Sequence, residues 1–130
     1  MNKNIRVLVV DDFSTMRKII KSLLRNLGID NVVEACDGRG AIQQLQAGGI
    51  DFLITDWNMP GMTGLDLLKF VRDNPKLAKL PVLMVTAESK REQIMEAARA
   101  GVNGYIVKPF TADEMNEKLS KIFARIEASN

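Results

Sequence analysis

Five short apolar runs, each followed by a stretch of helical periodicity, constrain this 130-residue chain more than any other feature. Residues 5–10 (IRVLVV) are apolar except for Arg6, as expected of a parallel strand covered on both faces. Met16, Ile19, Ile20, Leu23, Leu24 and Leu27 then recur at helical steps, which predicts a helix with Ser14 as N-cap and Gly28 as its stop. Residues 31–35 predict a second strand, and a weaker helix through Ala41, Ile42 and Leu45 ends at Gly48 and Gly49. A third strand at 51–55 leads into a loop, 57–63, and then a helix through Leu65, Leu68 and Val71 that stops near Asn74 and Pro75. Pro81 introduces the fourth strand, 82–86. Residues 90–100 have helical spacing, but their inward positions, Ile94, Ala97, Ala98 and the following Gly101, bury little apolar area, which predicts a weakly anchored helix. The fifth strand is 104–107. Thr111 and Glu114, in capping-box spacing, open a last helix along Met115, Leu119, Ile122, Phe123 and Ile126. Such alternation with short loops predicts an α/β fold with a doubly wound parallel sheet.

Composition removes whole classes of chemistry. The chain has no histidine, which excludes Ser/His/Asp and Cys/His triads, histidine proton shuttles and nearly all zinc geometries. Its one cysteine, Cys36, rules out an internal disulfide and reads as a small, partly buried residue after a strand. The net charge is only +2, and the basic residues (Arg17, Lys18, Lys21 and Arg25; Lys90 and Arg91; Lys118, Lys121 and Arg125) fall on predicted helix faces. They read as solvated faces, so no nucleic-acid partner is expected. No apolar run approaches the roughly 20 residues that span a bilayer, and the first run starts too early to leave room for a leader. The expectation is a cytoplasmic, single-domain protein without membrane insertion.

The chemistry sits where the apolar runs end. Asp11 and Asp12 follow the first, Asp56 closes the third, Thr86 the fourth, and Lys108, before Pro109, the fifth. In an open α/β sheet functional groups gather at the carboxyl ends of the strands, so these residues would share one pocket. Three neighbouring carboxylates repel one another until a proton or a cation enters. All-oxygen ligands select Mg²⁺, with Mn²⁺ as the second candidate. A carboxylate-held Mg²⁺ beside a lysine and a hydroxyl suits phosphoryl transfer, with central Asp56 as nucleophile, Lys108 pairing with phosphoryl oxygens and Thr86 hydrogen-bonding one of them. A lone aspartate after a strand would pass for a helix N-cap or turn former and Thr86 alone is blander still, whereas a lysine closing an apolar strand before a proline is unusual; their joint occurrence carries the reading.

The stretches VVDDFSTMR, TDWNMPGMTG, MVTAES and GYIVKPF, in this order and spacing, resemble the receiver domains of two-component response regulators over the whole chain. Trp57 and the phrase DWNMPGM resemble the family's single-domain chemotaxis members most. The resemblance implies a flavodoxin-like (βα)5 fold with sheet order 2-1-3-4-5, an order of which a chemotaxis member is itself a known example. It implies that residues 1–130 form one receiver domain with no output domain. Asp56 would be the phosphoacceptor, supplied by a sensor histidine kinase or by small donors such as acetyl phosphate. Mg²⁺ would be held by Asp11, Asp12, Asp56 and the backbone carbonyl of Asn58. Thr86 and Lys108 would bind the phosphoryl group, Thr86 moving toward it while Tyr105 turns inward behind it, and Asn58 and Glu88 would tune dephosphorylation. The protein would catalyse its own phosphorylation and dephosphorylation but act mainly as a binding switch, as a monomer. Its target would be the flagellar motor switch, with a dedicated phosphatase as a further candidate partner. The alternative within the family is a phosphorelay intermediate serving a histidine phosphotransfer domain. Thr63 departs from the aspartate common in receivers before the glycine. Two other classes share parts of the pattern. An FMN carrier would have this fold, but Asp11 and Asp12 would repel its phosphate. A haloacid-dehalogenase-like phosphatase would place its nucleophilic aspartate after the first strand.

Overall fold

The computed structural model describes residues 4–129. Strands and helices alternate without exception: β1 (Val7–Val10), α1 (Ser14–Asn26), β2 (Val32–Ala35), α2 (Gly38–Ala47), β3 (Phe52–Thr55), α3 (Gly64–Asp73), β4 (Val82–Thr86), α4 (Arg91–Arg99), β5 (Gly104–Val107) and α5 (Ala112–Ser129). All strand pairings are parallel, and the order is β2-β1-β3-β4-β5, as the resemblance implies. Every residue of β1, β3 and β4 is buried, which accounts for their unbroken apolar runs.

Successive strand residues face opposite sides of the sheet, so the core forms in two layers. Leu8, Val10, Leu53 and Met84 pack with Leu45, Leu67, Leu68 and Val71 from α2 and α3. Val7, Val9, Phe52, Ile54, Leu83 and Val85 pack with Ile20 and Leu24 of α1 and with Met115, Leu119, Ile122 and Phe123 of α5. The Phe52 and Phe123 rings meet edge to face at 5.4 Å. Thus the helix with the strongest periodicity and the last helix cover the same face.

Helix ends follow local chemistry. Leu24 and Arg25 close α1 by accepting from Ile29 and Gly28, with Gly28 at φ +86°, a conformation open to glycine. Ser14 is not the N-cap: Phe13 holds that position without a side-chain acceptor, and Ser14 is the first helical residue. Thr63 has a structural role, because its hydroxyl and the Asp66 carboxylate form a reciprocal capping box on α3. The corresponding box on α5 joins Thr111 and Glu114.

In α4, Ala97 alone is buried, whereas Ala98, expected to face inward, is exposed, as is Gly101 beyond the helix. The helix turns one small side chain toward the sheet, and a second alanine one position further already lies off that face. Cys36 is also exposed rather than partly buried, because the chain has left the sheet by that point. Arg72 compensates for the thin packing near the end of α4: its guanidinium donates to the carbonyls of Gly101, Ala78 and Leu80 and to Asn103 Oδ1. Burial pushes its pKa down from the ordinary guanidinium range. No described helix is long and apolar enough to cross a membrane.

Candidate functional site

Register builds the site. Val10 lies opposite Thr55 across the β1–β3 pair, so the next residues, Asp11 and Asp56, emerge side by side. Thr86 lies opposite Val107, and the amide of Lys108 donates to the Thr86 carbonyl at 2.8 Å. Four neighbouring strand ends therefore place Asp11, Asp56, Thr86 and Lys108 along one edge, with Asp12 beside them. Carboxylate oxygens of Asp11, Asp12 and Asp56 lie within 4.8 Å of one another.

The two inner aspartates are almost inaccessible, Asp11 at 1% and Asp56 at 6% exposure, and Asp12 is exposed. Each inner carboxylate is divided in function. Oδ1 of Asp11 accepts from the Phe13 amide at 2.9 Å, and Oδ1 of Asp56 from the Trp57 amide at 2.7 Å. Their Oδ2 atoms meet Lys108 Nζ at 2.8 and 3.3 Å respectively. Within this group three carboxylates stand against one ammonium, leaving the charge one divalent cation would neutralise. Hard oxygen donors around residual negative charge fit Mg²⁺, and nothing in the set favours a soft metal.

Backbone proximity fixes the loop that follows Asp56. The Gly64 amide donates to the Trp57 carbonyl at 2.8 Å. A Cβ at position 64 would lie 2.0 Å from the Asp56 carbonyl oxygen, so only glycine permits this approach. Trp57, the next residue, is buried in the core layer that α2 and α3 cover. The Lys108–Pro109 peptide is cis.

The remaining expected residues form a chain of contacts on the β4 side. Thr86 is fully buried, and its hydroxyl accepts from the Glu88 amide at 3.2 Å. The Glu88 carbonyl accepts from the Tyr105 hydroxyl at 2.7 Å, and its carboxylate accepts from Asn58 Nδ2. Burial first, then the charges of Glu88 and Asp56, push the Tyr105 pKa up to about 12. Asn58 and Lys108, with Asp12, Phe13, Met16 and Ile19, line a cleft of about 470 Å³ beside the acids. Glu88 meets this cleft through its contact with Asn58, and Thr86 and Tyr105 join it through the Glu88 backbone.

Arg17 is expected on a solvated helix face. The structure instead turns it to the metal-binding turn: Nη1 donates to the Asp11 carbonyl at 2.7 Å and Nε to Glu34 Oε1 at 2.9 Å. Its signal was its position on the first turn of the helix that follows the acidic pair.

Residues 7–120 match the response regulator receiver domain, and the chain belongs to that family. Proteins of this class are phosphorylation-activated signalling switches that bind Mg²⁺ at an acidic pocket of this kind, here Asp11, Asp12 and Asp56. Among individual proteins, the chain is 64% identical over 126 residues to the chemotaxis protein CheY-3 of Vibrio cholerae, covering 97% of each chain. It is also 64% identical over 121 residues to the chemotaxis protein CheY of Pseudomonas aeruginosa, covering 93% of this chain and 98% of that one. The solved chemotaxis response regulator CheY4 of Vibrio cholerae superposes with a TM-score of 0.83 at 35% identity, over 91% of this chain and 98% of the other.

Proposed function

We propose that Asp56 accepts the phosphoryl group and that the resulting acyl phosphate switches a docking surface in chemotaxis. One observation carries the reading: a buried carboxylate touches a lysine ammonium and shares its pocket with two further carboxylates. An Asp56 oxygen attacks phosphorus of a phosphohistidine or acetyl phosphate. The P–N or P–O bond breaks, and its electron pair leaves with the donor. Bound Mg²⁺, held by Asp11, Asp12, Asp56 and the Asn58 carbonyl, supplies positive charge against the phosphoryl oxygens, and Mn²⁺ would serve in the same way.

The chain's own groups do the rest. Lys108 already spans Asp11 and Asp56, so it exchanges a carboxylate contact for a phosphoryl oxygen. The Thr86 hydroxyl donates to another phosphoryl oxygen. Moving Thr86 disturbs the Glu88 amide it accepts from, and Glu88 in turn holds the Tyr105 hydroxyl. This links the acceptor to the surface formed by α4, β5 and α5, where the single buried side chain of α4 resists displacement little. Asn58 and Glu88, hydrogen-bonded to each other, tune access of the water that later cleaves the acyl phosphate.

The reading extends to a cytoplasmic monomer of one receiver domain, phosphorylated by a sensor histidine kinase and docking to the flagellar motor switch, with a dedicated phosphatase as a further partner. Support comes from relatives named as chemotaxis proteins and matched along nearly their full length. Intact mass measured with acetyl phosphate and Mg²⁺ should show one added phosphoryl group, absent in Asp56→Asn. Binding to the motor switch protein should rise with phosphorylation. Incorporation that persists in Asp56→Asn refutes the acceptor assignment. Transfer to a histidine phosphotransfer domain without motor binding would instead identify a phosphorelay intermediate.

A further inference from the structure

We infer that Arg17 is a positioning residue for the metal-binding turn and that its guanidinium strengthens Mg²⁺ binding despite its positive charge. The inference rests on the Mg²⁺ site described above. Two opposed effects make it testable. By Coulomb's law a cation near a cation site weakens binding, so losing Arg17 should tighten it. By geometry Arg17 holds the turn, so losing it should loosen the site.

The structure favours geometry. The Asp11 peptide is held at both ends. Its amide donates to the Ala35 carbonyl at 3.2 Å, and its carbonyl accepts from Arg17 Nη1 at 2.7 Å. That carbonyl belongs to the peptide joining Asp11 to Asp12, so pinning it sets the direction in which the Asp12 backbone leaves and where its exposed carboxylate points. The guanidinium is itself fixed, because Nε donates to Glu34 Oε1 at 2.9 Å, and Glu34 also meets Lys21 at 3.7 Å. Glu34 and Ala35 are consecutive on β2, so one edge strand braces both ends of the metal-binding peptide. Arg17 keeps 17% side-chain exposure and directs a hydrogen bond to a carbonyl, away from the carboxylate oxygens that face Lys108. Its charge is partly matched by Glu34. A planar fork can serve two acceptors at once; a lysine ammonium on a flexible stem cannot reproduce that arrangement.

The test is Mg²⁺ titration of the full chain by calorimetry and Trp57 emission, for unmodified protein, Arg17→Met and Arg17→Lys. Thermal melts in EDTA establish that each variant is folded. Outer partners of metal ligands typically change affinity by about tenfold or more, so Arg17→Met should weaken Mg²⁺ by about tenfold. Arg17→Lys, with charge kept but the fork lost, should weaken it by roughly threefold. Acceptor phosphorylation in both variants should need more Mg²⁺ yet reach the unmodified extent at saturation. Binding as tight as, or tighter than, the unmodified chain overturns the inference, and if Arg17→Met does not fold, Arg17→Lys decides alone. An unmodified chain that binds no Mg²⁺ overturns the site reading itself, and the inference with it.

Discussion

Replacing Lys108 by methionine should expose the electrostatic debt of the acidic pocket, and Mg²⁺ should settle part of it. The ammonium lies 2.8 Å from Asp11 and 3.3 Å from Asp56. At an effective dielectric of about 20 these contacts are worth roughly 6 and 5 kcal/mol before desolvation. Desolvating the ammonium offsets most of this, and losing one member of a buried ion pair typically costs about 3–5 kcal/mol. Asp12 is exposed and Lys108 retains 17% exposure, so solvent screening puts the expected loss at the lower end, about 3 kcal/mol in EDTA. The variant leaves three carboxylates within 4.8 Å with no ammonium between them, so Mg²⁺ should bind it more tightly than the unmodified chain. Metal at 100 times its Kd stabilises by about 2.7 kcal/mol, and tighter binding adds to this at a fixed concentration. Urea unfolding in EDTA and in millimolar Mg²⁺ measures both quantities. The gap between variant and unmodified protein should narrow by at least about 1 kcal/mol with Mg²⁺, one tenfold change in affinity being worth about 1.4 kcal/mol. An unchanged gap would refute the reasoning.

Arg72→Met should destabilise the fold by about 3 kcal/mol, because carbonyls of Gly101, Ala78 and Leu80 and the Asn103 side chain lose a donor together. Urea unfolding measures the loss, and hydrogen exchange should rise first near residues 99–103; a loss below about 1 kcal/mol contradicts the hub role. Tyr105 is the chain's one tyrosine, so tyrosinate absorbance reports it alone, with a folded midpoint of about 12 against 10.0 for an unperturbed group. Because the folded pKa is raised, its contribution to stability is complete below pH 10 and is lost as pH climbs toward 12. Tyr105→Phe should abolish this dependence, and a folded midpoint near 10 would contradict the burial of the hydroxyl.

Strand ends are legible in the sequence because they combine two signals, an apolar run and a residue type that breaks it. β5 was expected at 104–107 and is found there, and Asp11, Asp12, Asp56 and Lys108 are brought together as their strand positions imply. β1, β2 and β3 begin one or two residues later than expected, at Val7, Val32 and Phe52, since Arg6, Asn31 and Asp51 lie just before the paired segments. Arg17 and Arg72 were not legible as anchors. A long basic side chain on a helix looks the same in sequence whether it reaches water or a carbonyl, and Arg72 contacts backbone up to 29 residues away. Ser14 shows the related limit of local chemistry, since a good capping residue is of no use one position too late.

The contact between Lys108 and Asp11 joins residues 97 apart, the widest separation among the contacts that hold the pocket together. A growing polypeptide therefore presents the acidic turns of β1 and β3 well before their counter-charge exists. Until Lys108 arrives with the end of β5, the half-built pocket is a cluster of like charges without an ammonium between them. The pocket therefore cannot be charge-balanced by its own lysine until β5 has joined the sheet beside β4.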